Sequence, residues 1–532
     1  MTSPTIPVRA AAAAGADPHP EPAMTVRAPA GVELLAAGSA VAPALGAPGR
    51  ADLRYRDLRA LVAEASAALN GFGLGRGDRV AIVLPNGPEM ATAFLAVSSV
   101  ATAAPLNPAY RGDEFEFYLA DLGARAVIVP AGAEGAVAGA AAKLGVPLID
   151  LAVGREDAAG AFRLALRDRR PAGTGASGPA SPDDVALVLH TSGTTSRPKL
   201  VPLTHRNLVV SARNIAASLA FTAGDRGLNV MPLFHIHGLV AGIAAPLSAG
   251  SQVCCTPGFD ALRFFAWVDA AQPTWYTAVP TMHQAILARA KGSRDVVART
   301  RFRFVRSSSS PLPPSVMADL EATFRCPAIE AYGMTEASHQ VTCNPLPPAV
   351  RKPGSVGIAG RTDVAIMDAE GALLPVGAVG EVVIRGPSVT SGYENAPEVN
   401  ARTLTAGWFR TGDQGVIDAD GYLTLTGRLK EIINRGGEKI SPREVDDVLT
   451  AHPAVMQAVT FALPDAMLCE DVAAAIVLRD GMTVSADQLR RYVAGQLASF
   501  KVPRRIVFVT EIPKGPSGKL QRVGLAKLLG LA

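Results

Sequence analysis

Leu187 to Asn207 reads LVLHTSGTTSRPKLVPLTHRN. An apolar run breaks into Thr, Ser and Gly, meets one lysine, Lys199, and resumes as an amphipathic segment. The break has the ingredients of a phosphate cradle. Gly193 frees backbone N–H groups, Thr191, Ser192, Thr194 and Thr195 supply hydroxyls, and Lys199 is a point charge. The spacing does not fit GxxxxGKS or GxxxxGKT, so the ordinary nucleotide P-loop is excluded. A polar surface loop following the strand VALVLH is the plain alternative.

The same alternation extends outward along the chain. Short β-rich runs, RVAIVLP, RAVIVPA, VALVLHT, GLNVMPL, QVCCTPG and PTWYTAVP, are separated by helical patterns such as EFEFYLADLGA and ALRFFAWVDAA. This predicts α/β layers with largely parallel strands. Residues 152–183, rich in Ala, Gly, Asp and Arg, predict a surface loop or linker. After about residue 350, VAIMDAEGALLPVGAVGEVVIRGPSV predicts hairpins of a β-rich subdomain. The last hundred residues mix helix and strand, enough for a small α+β domain beginning near Gly427.

A chain of 532 residues exceeds one ordinary core, so two or three domains are expected. The net charge of +4 is small for this length, and no Lys/Arg block nominates a nucleic-acid partner. Five scattered cysteines give neither a disulfide framework nor a paired zinc pattern, and fit a reducing cytoplasmic setting. The Ala/Pro-rich start lacks the apolar core of a signal peptide and is expected as a disordered leader over residues 1–28, with Met24 an alternative start. Met90–Tyr110 and Phe234–Phe259 are uncharged but lack the apolar continuity of a spanning helix, so they are expected as buried elements rather than integral membrane segments.

Four further blocks accompany the opening one: EAYGMTEASH at 330–339, WFRTGDQG at 408–415, GRLKEIINRGGEKISP at 427–442 and IPKGPSGKLQR at 512–522. In this order and spacing the five resemble the adenylate-forming (ANL) superfamily of acyl-CoA synthetases, 4-coumarate–CoA ligases, luciferases and nonribosomal adenylation domains. The resemblance runs from about residue 50 to the C-terminus. It implies an N-terminal AMP-binding domain of layered α/β subdomains plus a β-rich subdomain over 29–427, and a small mobile α+β domain over 428–532.

Carried over position by position, the resemblance implies these roles. Thr191, Ser192, Gly193, Thr194, Thr195 and Lys199 would grip the ATP phosphates. Ser309, Glu330, Ala331, Tyr332, Gly333 and Met334 would line the nucleotide, with Tyr332 and Gly333 flanking adenine and Thr335 reaching the α-phosphate. Glu336 would hold Mg²⁺. Asp413 would take the ribose hydroxyls beside Arg428. Lys519 resembles the lysine that the small domain swings onto the reacting phosphorus, and its loss should cost roughly 3–4 kcal/mol, about two to three decades in rate. Lys430 stands at the hinge between the two half-reactions. Gly436, Gly437 and Glu438, in RGGEKIS, would face the thiol cofactor's channel. Ser196 and Arg197 depart from the usual Gly-x, and Leu200 replaces the usual glycine after Lys199, where leucine restricts the backbone.

Coenzyme A is the favoured acceptor because no carrier-protein domain follows; loading of a separate carrier protein stays open. The chain is expected as a monomer or homodimer taking a small carboxylic acid. HTSGTTSRPK, PLFHIHGLVAG, WYTAVPTMHQAIL, RFVRSSSSPLPP and EAYGMTEASHQVTCNPLP are similar to the oxalate–CoA ligases. His235, His237, Ser309 and His339 would then line the acyl pocket, a polar set suited to a short dianion, whereas a fatty tail needs apolar walls. His235-x-His237 has no third ligand at useful spacing for zinc. Medium-chain fatty or aryl acids remain alternatives, as does a non-catalytic adenylate or acyl-CoA binder.

Overall fold

The apolar runs become strands because both their faces are covered by helices, and Val80, Ala81, Ile82, Val127 and Ile128 are all fully buried. In the computed structural model, which describes residues 26–173, 175–176, 178–191, 198–513 and 520–531, these strands form two large sheets. The first has seven strands in the spatial order Arg163–Leu166, Leu148–Ala152, Ala126–Pro130, Arg79–Ile82, Thr102–Pro105, Val185–Thr191, Lys199–Thr204. The second has nine, with a parallel centre of Ala328–Met334, Phe304–Ser308, Trp275–Ala278, Arg226–Asn229, Gln252–Cys255 and Pro43–Gly46. The helix Pro88–Val100, uncharged after Glu89, lies in the core that joins the layers and is buried at nearly every position. It accounts for the uncharged stretch that begins at Met90; among the described residues no helix is long and apolar enough to cross a membrane.

Residues 152–183 are not wholly loop. Arg163–Leu166 adds an antiparallel edge strand beside Leu148–Ala152. Its half-exposed, alternating side chains, RLAL, are typical of an edge, and so short a strand is masked by the polar residues around it. Residues 26–28 of the expected leader are described, and Val26 packs into the main core.

The predicted hairpins build a separate sheet, in which Val379–Arg385 pairs antiparallel with Asp363–Met367 and with Trp408–Ile417, and Leu423–Arg428 extends it. The next strand, Ile433–Arg435, already belongs to the sheet of the small α+β unit. The chain therefore changes sheets between Arg428 and Ile433, the segment that contains Lys430. The small unit rests on the large one: Arg443 donates to the Leu425 carbonyl at 2.8 Å, and Gln284 donates to the Met456 carbonyl at 2.9 Å.

Candidate active site

Strand order positions the site. Phe304–Ser308 and Ala328–Met334 run parallel in register, Ser308 opposite Ala331, so their carboxyl ends bring Ser309 and Tyr332–Thr335 side by side. Ligands of open α/β sheets sit outside such strand ends. Gly333 is required there, because a Cβ would lie 1.7 Å from the His339 carbonyl where the strands Ala328–Met334 and His339–Cys343 shift register.

The expected ribose carboxylate is held from two sides. The Tyr332 hydroxyl donates to Asp413 Oδ2 at 2.6 Å, and Arg428 Nε lies 3.2 Å from Asp413 Oδ1. Burial and the Asp413 charge push the Tyr332 hydroxyl well above its ordinary range, so it remains a donor. Asp413 and Arg428 face each other across adjacent strands, which explains a pairing that 15 residues of sequence separate.

Glu336 is buried at 6% exposure, and its Oε1 accepts from the Tyr393 hydroxyl at 2.7 Å. Burial raises its pKa, countered first by that hydrogen bond and also by Arg428 and Lys199. Lys199 Nζ lies 4.5 Å over the Tyr393 ring. Burial, then the nearby charge of Lys430, pulls Lys199 below the ordinary lysine range. Among the described residues no cluster of three or more His, Cys, Asp or Glu could cage a metal. A lone desolvated carboxylate nevertheless suits Mg²⁺, which is commonly held by one or two carboxylates together with substrate phosphates. Tyr393 was missed at the sequence level: YENAP carries no motif that marks it.

Leu200, where glycine was expected, is an ordinary strand residue opposite His190, with its side chain buried in a core cluster. Ser192, Gly193, Thr194 and Thr195 lie outside the described residues, as does Lys519. Thr191 and Lys199 pair at the ends of the two strands that flank the loop. The Ala331 carbonyl is engaged by the Ser308 hydroxyl at 2.8 Å, and Met334 is half-buried. Glu330 is fully buried, with Oε1 accepting from the Leu312 amide at 2.9 Å; burial raises it to about 7, partly offset by Arg443 of the small unit. Lys430 is exposed between the two sheets. Gly436 and Gly437 form an exposed hairpin turn with φ of 59° and 99°, followed by exposed Glu438.

A buried polar cluster beside Ser309 is built around a residue that the motif reading did not single out. Arg306, fully buried in the strand Phe304–Ser308, donates through Nη1 to His237 Nε2 and Thr277 Oγ1, both at 3.3 Å. Through Nη2 it donates to His339 Nε2 at 3.2 Å and Gln340 Oε1 at 3.1 Å. The two imidazoles stack 4.8 Å apart, and His237 Nδ1 lies 3.0 Å from Ser309 Oγ. Burial lowers Arg306 to about 10, which still leaves it charged at neutral pH. His235 is not part of this stack; its ring packs at a tilt on Phe234, 4.8 Å away. His237 opens a π-helical segment, His237–Ala244, a form that recurs at functional sites. Ser309, Ser338 and His339 hold φ of 73°, 51° and 101°, strain of a kind that concentrates at binding sites.

This fold, with Asp413 held between Tyr332 and Arg428 on one side and a buried, charged polar cluster around Arg306 on the other, is that of a nucleotide-dependent acid-activating enzyme. A profile of the AMP-binding enzyme family matches residues 35–394, and its C-terminal domain matches 444–519. The chain is 44% identical over 485 residues to an oxalate–CoA ligase of Arabidopsis thaliana, covering 90% of this chain and 94% of that one. It is 42% identical over 479 residues to one of Saccharomyces cerevisiae, covering 85% and 87%. ATP-bound MatB from Rhodopseudomonas palustris superposes with a TM-score of 0.84 at 28% identity, covering 94% and 99%. The chain belongs to the AMP-binding enzyme family and is an AMP-forming acid–CoA ligase, with ATP and coenzyme A as co-substrates.

Proposed function

We propose that the acid is oxalate. The observation that carries this reading is the pocket behind Ser309: two imidazoles, a serine hydroxyl and a guanidinium stand where a hydrocarbon tail would need apolar walls. Arriving there, an alkyl chain would strand buried polar groups without partners, whereas a compact dianion would satisfy them. The names of the two ligases reported above agree with this chemistry.

In the first half-reaction one oxalate oxygen attacks the α-phosphorus and pyrophosphate leaves. In the second, the thiol of coenzyme A attacks the carbonyl carbon and AMP leaves. Asp413, fixed by Tyr332 and Arg428, takes the ribose hydroxyls; Thr335 and Lys199 meet the phosphates. Glu336 would hold Mg²⁺, which supplies charge neutralisation to the triphosphate. Lys519 is assigned to the reacting phosphorus. The division at residues 427 and 428 separates the large lobe from the mobile one, and the hairpin of Gly436, Gly437 and Glu438 faces coenzyme A. A cytoplasmic setting fits the cysteine usage.

ATP–pyrophosphate exchange with a panel of acids tests the proposal. Stimulation by oxalate and not by octanoate is expected. The reverse pattern overturns the oxalate reading in favour of a fatty-acid ligase, and no stimulation by any acid points to a binder.

A further inference from the structure

Arg306 is anomalous among the buried and half-buried arginines of the described residues. Arg522 pairs with Asp446 at 2.8 Å and Glu431 at 3.0 Å, and Arg410 pairs with Glu381 at 2.7 Å. Arg306 is fully buried yet faces no Asp or Glu among the described residues, and its Nε has no hydrogen-bond partner. A buried charge without a counter-charge is destabilising, so a fold that keeps one either tolerates a defect or awaits an anion. Its neighbours favour the second reading. All four contacts of its terminal nitrogens are neutral side chains, and two of them are imidazoles that continue to the Ser309 side of the pocket.

Hydrogen-bond polarity then determines the proton positions. Guanidinium can only donate. The ring nitrogen that each imidazole turns toward Arg306 is Nε2, which can accept only with the ring proton on Nδ1; in that tautomer His237 Nε2 also accepts from the Thr277 hydroxyl 2.7 Å away, whose oxygen in turn accepts from Arg306. His237 Nδ1–H therefore donates to Ser309 Oγ, which leaves the serine's own proton available for an acceptor further out. Because the rings stack at 4.8 Å with 21° between their planes, both Nδ1–H groups are set from the same side by one cation.

We propose that Arg306 is the specificity-determining positioning residue of the acid pocket: it locks His237 and His339 as Nδ1–H donors, and its uncompensated charge selects short acids bearing a second anionic group. This deepens the oxalate reading and rests on the same pocket. A monocarboxylate of equal size leaves the guanidinium uncompensated, and an alkyl chain would meet the buried polar side chains of Thr277, Gln340 and the two rings.

The test measures kcat/KM in acid-dependent ATP–pyrophosphate exchange for oxalate against glyoxylate, and for malonate against propionate. It uses the full-length wild type, Arg306→Lys and Arg306→Met. The wild type is expected to prefer the dianion in each pair. Arg306→Met should lose about 100-fold of that preference through KM for the dianion, with KM for ATP unchanged, and Arg306→Lys should recover part of it. A wild type that prefers malonate over oxalate defeats the oxalate reading and leaves this inference standing. A wild type that prefers the monoanions, or a folded Arg306→Met that keeps the full dianion preference, overturns it. Should both variants fail to fold, ring-labelled histidine NMR of the wild type decides, with His237 and His339 assigned by single His→Asn replacement. Nδ1–H tautomers at both support the proposal, and an Nε2–H tautomer at either one refutes it.

Discussion

Replacing Tyr393 with Phe removes one oxygen and leaves the ring. That oxygen is the donor to Glu336 Oε1 at 2.7 Å, and the ring is the surface over which Lys199 Nζ sits at 4.5 Å. The substitution therefore separates the carboxylate's support from the lysine's. A hydrogen bond to a desolvated carboxylate is worth about 2 kcal/mol, or about 30-fold. Glu336 is buried and its pKa already raised; Tyr393 opposes that rise, so its loss drives the pKa further up. KM for magnesium-ATP in oxalate-dependent pyrophosphate exchange should rise about 30-fold. The acid limb of its pH profile should also move to higher pH, because the carboxylate recruits a proton sooner. Tyr393→Leu also removes the ring, adding about 1 kcal/mol by exposing Lys199 to an aliphatic neighbour. An unchanged KM together with an unmoved acid limb in Tyr393→Phe would refute the argument that this hydroxyl keeps Glu336 ionised.

Three other perturbations are equally specific. Glu330, raised to about 7 by burial, binds its proton more tightly folded than unfolded, so stability falls as pH rises from its ordinary 4.5 through about 7, by about 3 kcal/mol. Glu330→Gln should flatten that decline, seen as a denaturant midpoint less dependent on pH; an identical slope would remove Glu330 as its source. Arg522→Met leaves half-buried Asp446 and Glu431 without their cation and should cost about 2–3 kcal/mol in the denaturant stability of the small unit, with Asp446→Asn restoring part of it. A neutral effect would show that the triad contributes nothing to that unit. Lys430→Pro should leave adenylate formation measurable while thioester formation collapses, and equal loss in both half-reactions, followed by product analysis, would defeat the hinge assignment.

Much of the fold was legible because its signals are local. Runs such as RAVIVPA and QVCCTPG are short, apolar and bounded by Gly or Pro, and each became a strand. The edge strand Arg163–Leu166 was not legible, since four half-exposed residues in a polar stretch bury too little to leave a pattern. The residues proposed to meet the nucleotide carry motifs, because Tyr332 through Glu336 lie together at one strand end. Tyr393 and Arg306 do not. Arg306 did carry a signal, a charge directly after the apolar pair Phe304–Val305 of a strand, but its partners His237 and Thr277 lie 69 and 29 residues away.

The order of residues along the chain was enough to specify the α/β layering and the family to which the chain belongs, because each of these depends on contacts or motifs spanning a few residues. Only the folded arrangement decided that His237, and not His235, stacks on His339, and that a guanidinium with no Asp or Glu beside it among the described residues contacts both rings. Those properties arise where four separated segments converge in a water-poor interior, and there the low polarity gives each proton and each charge its weight.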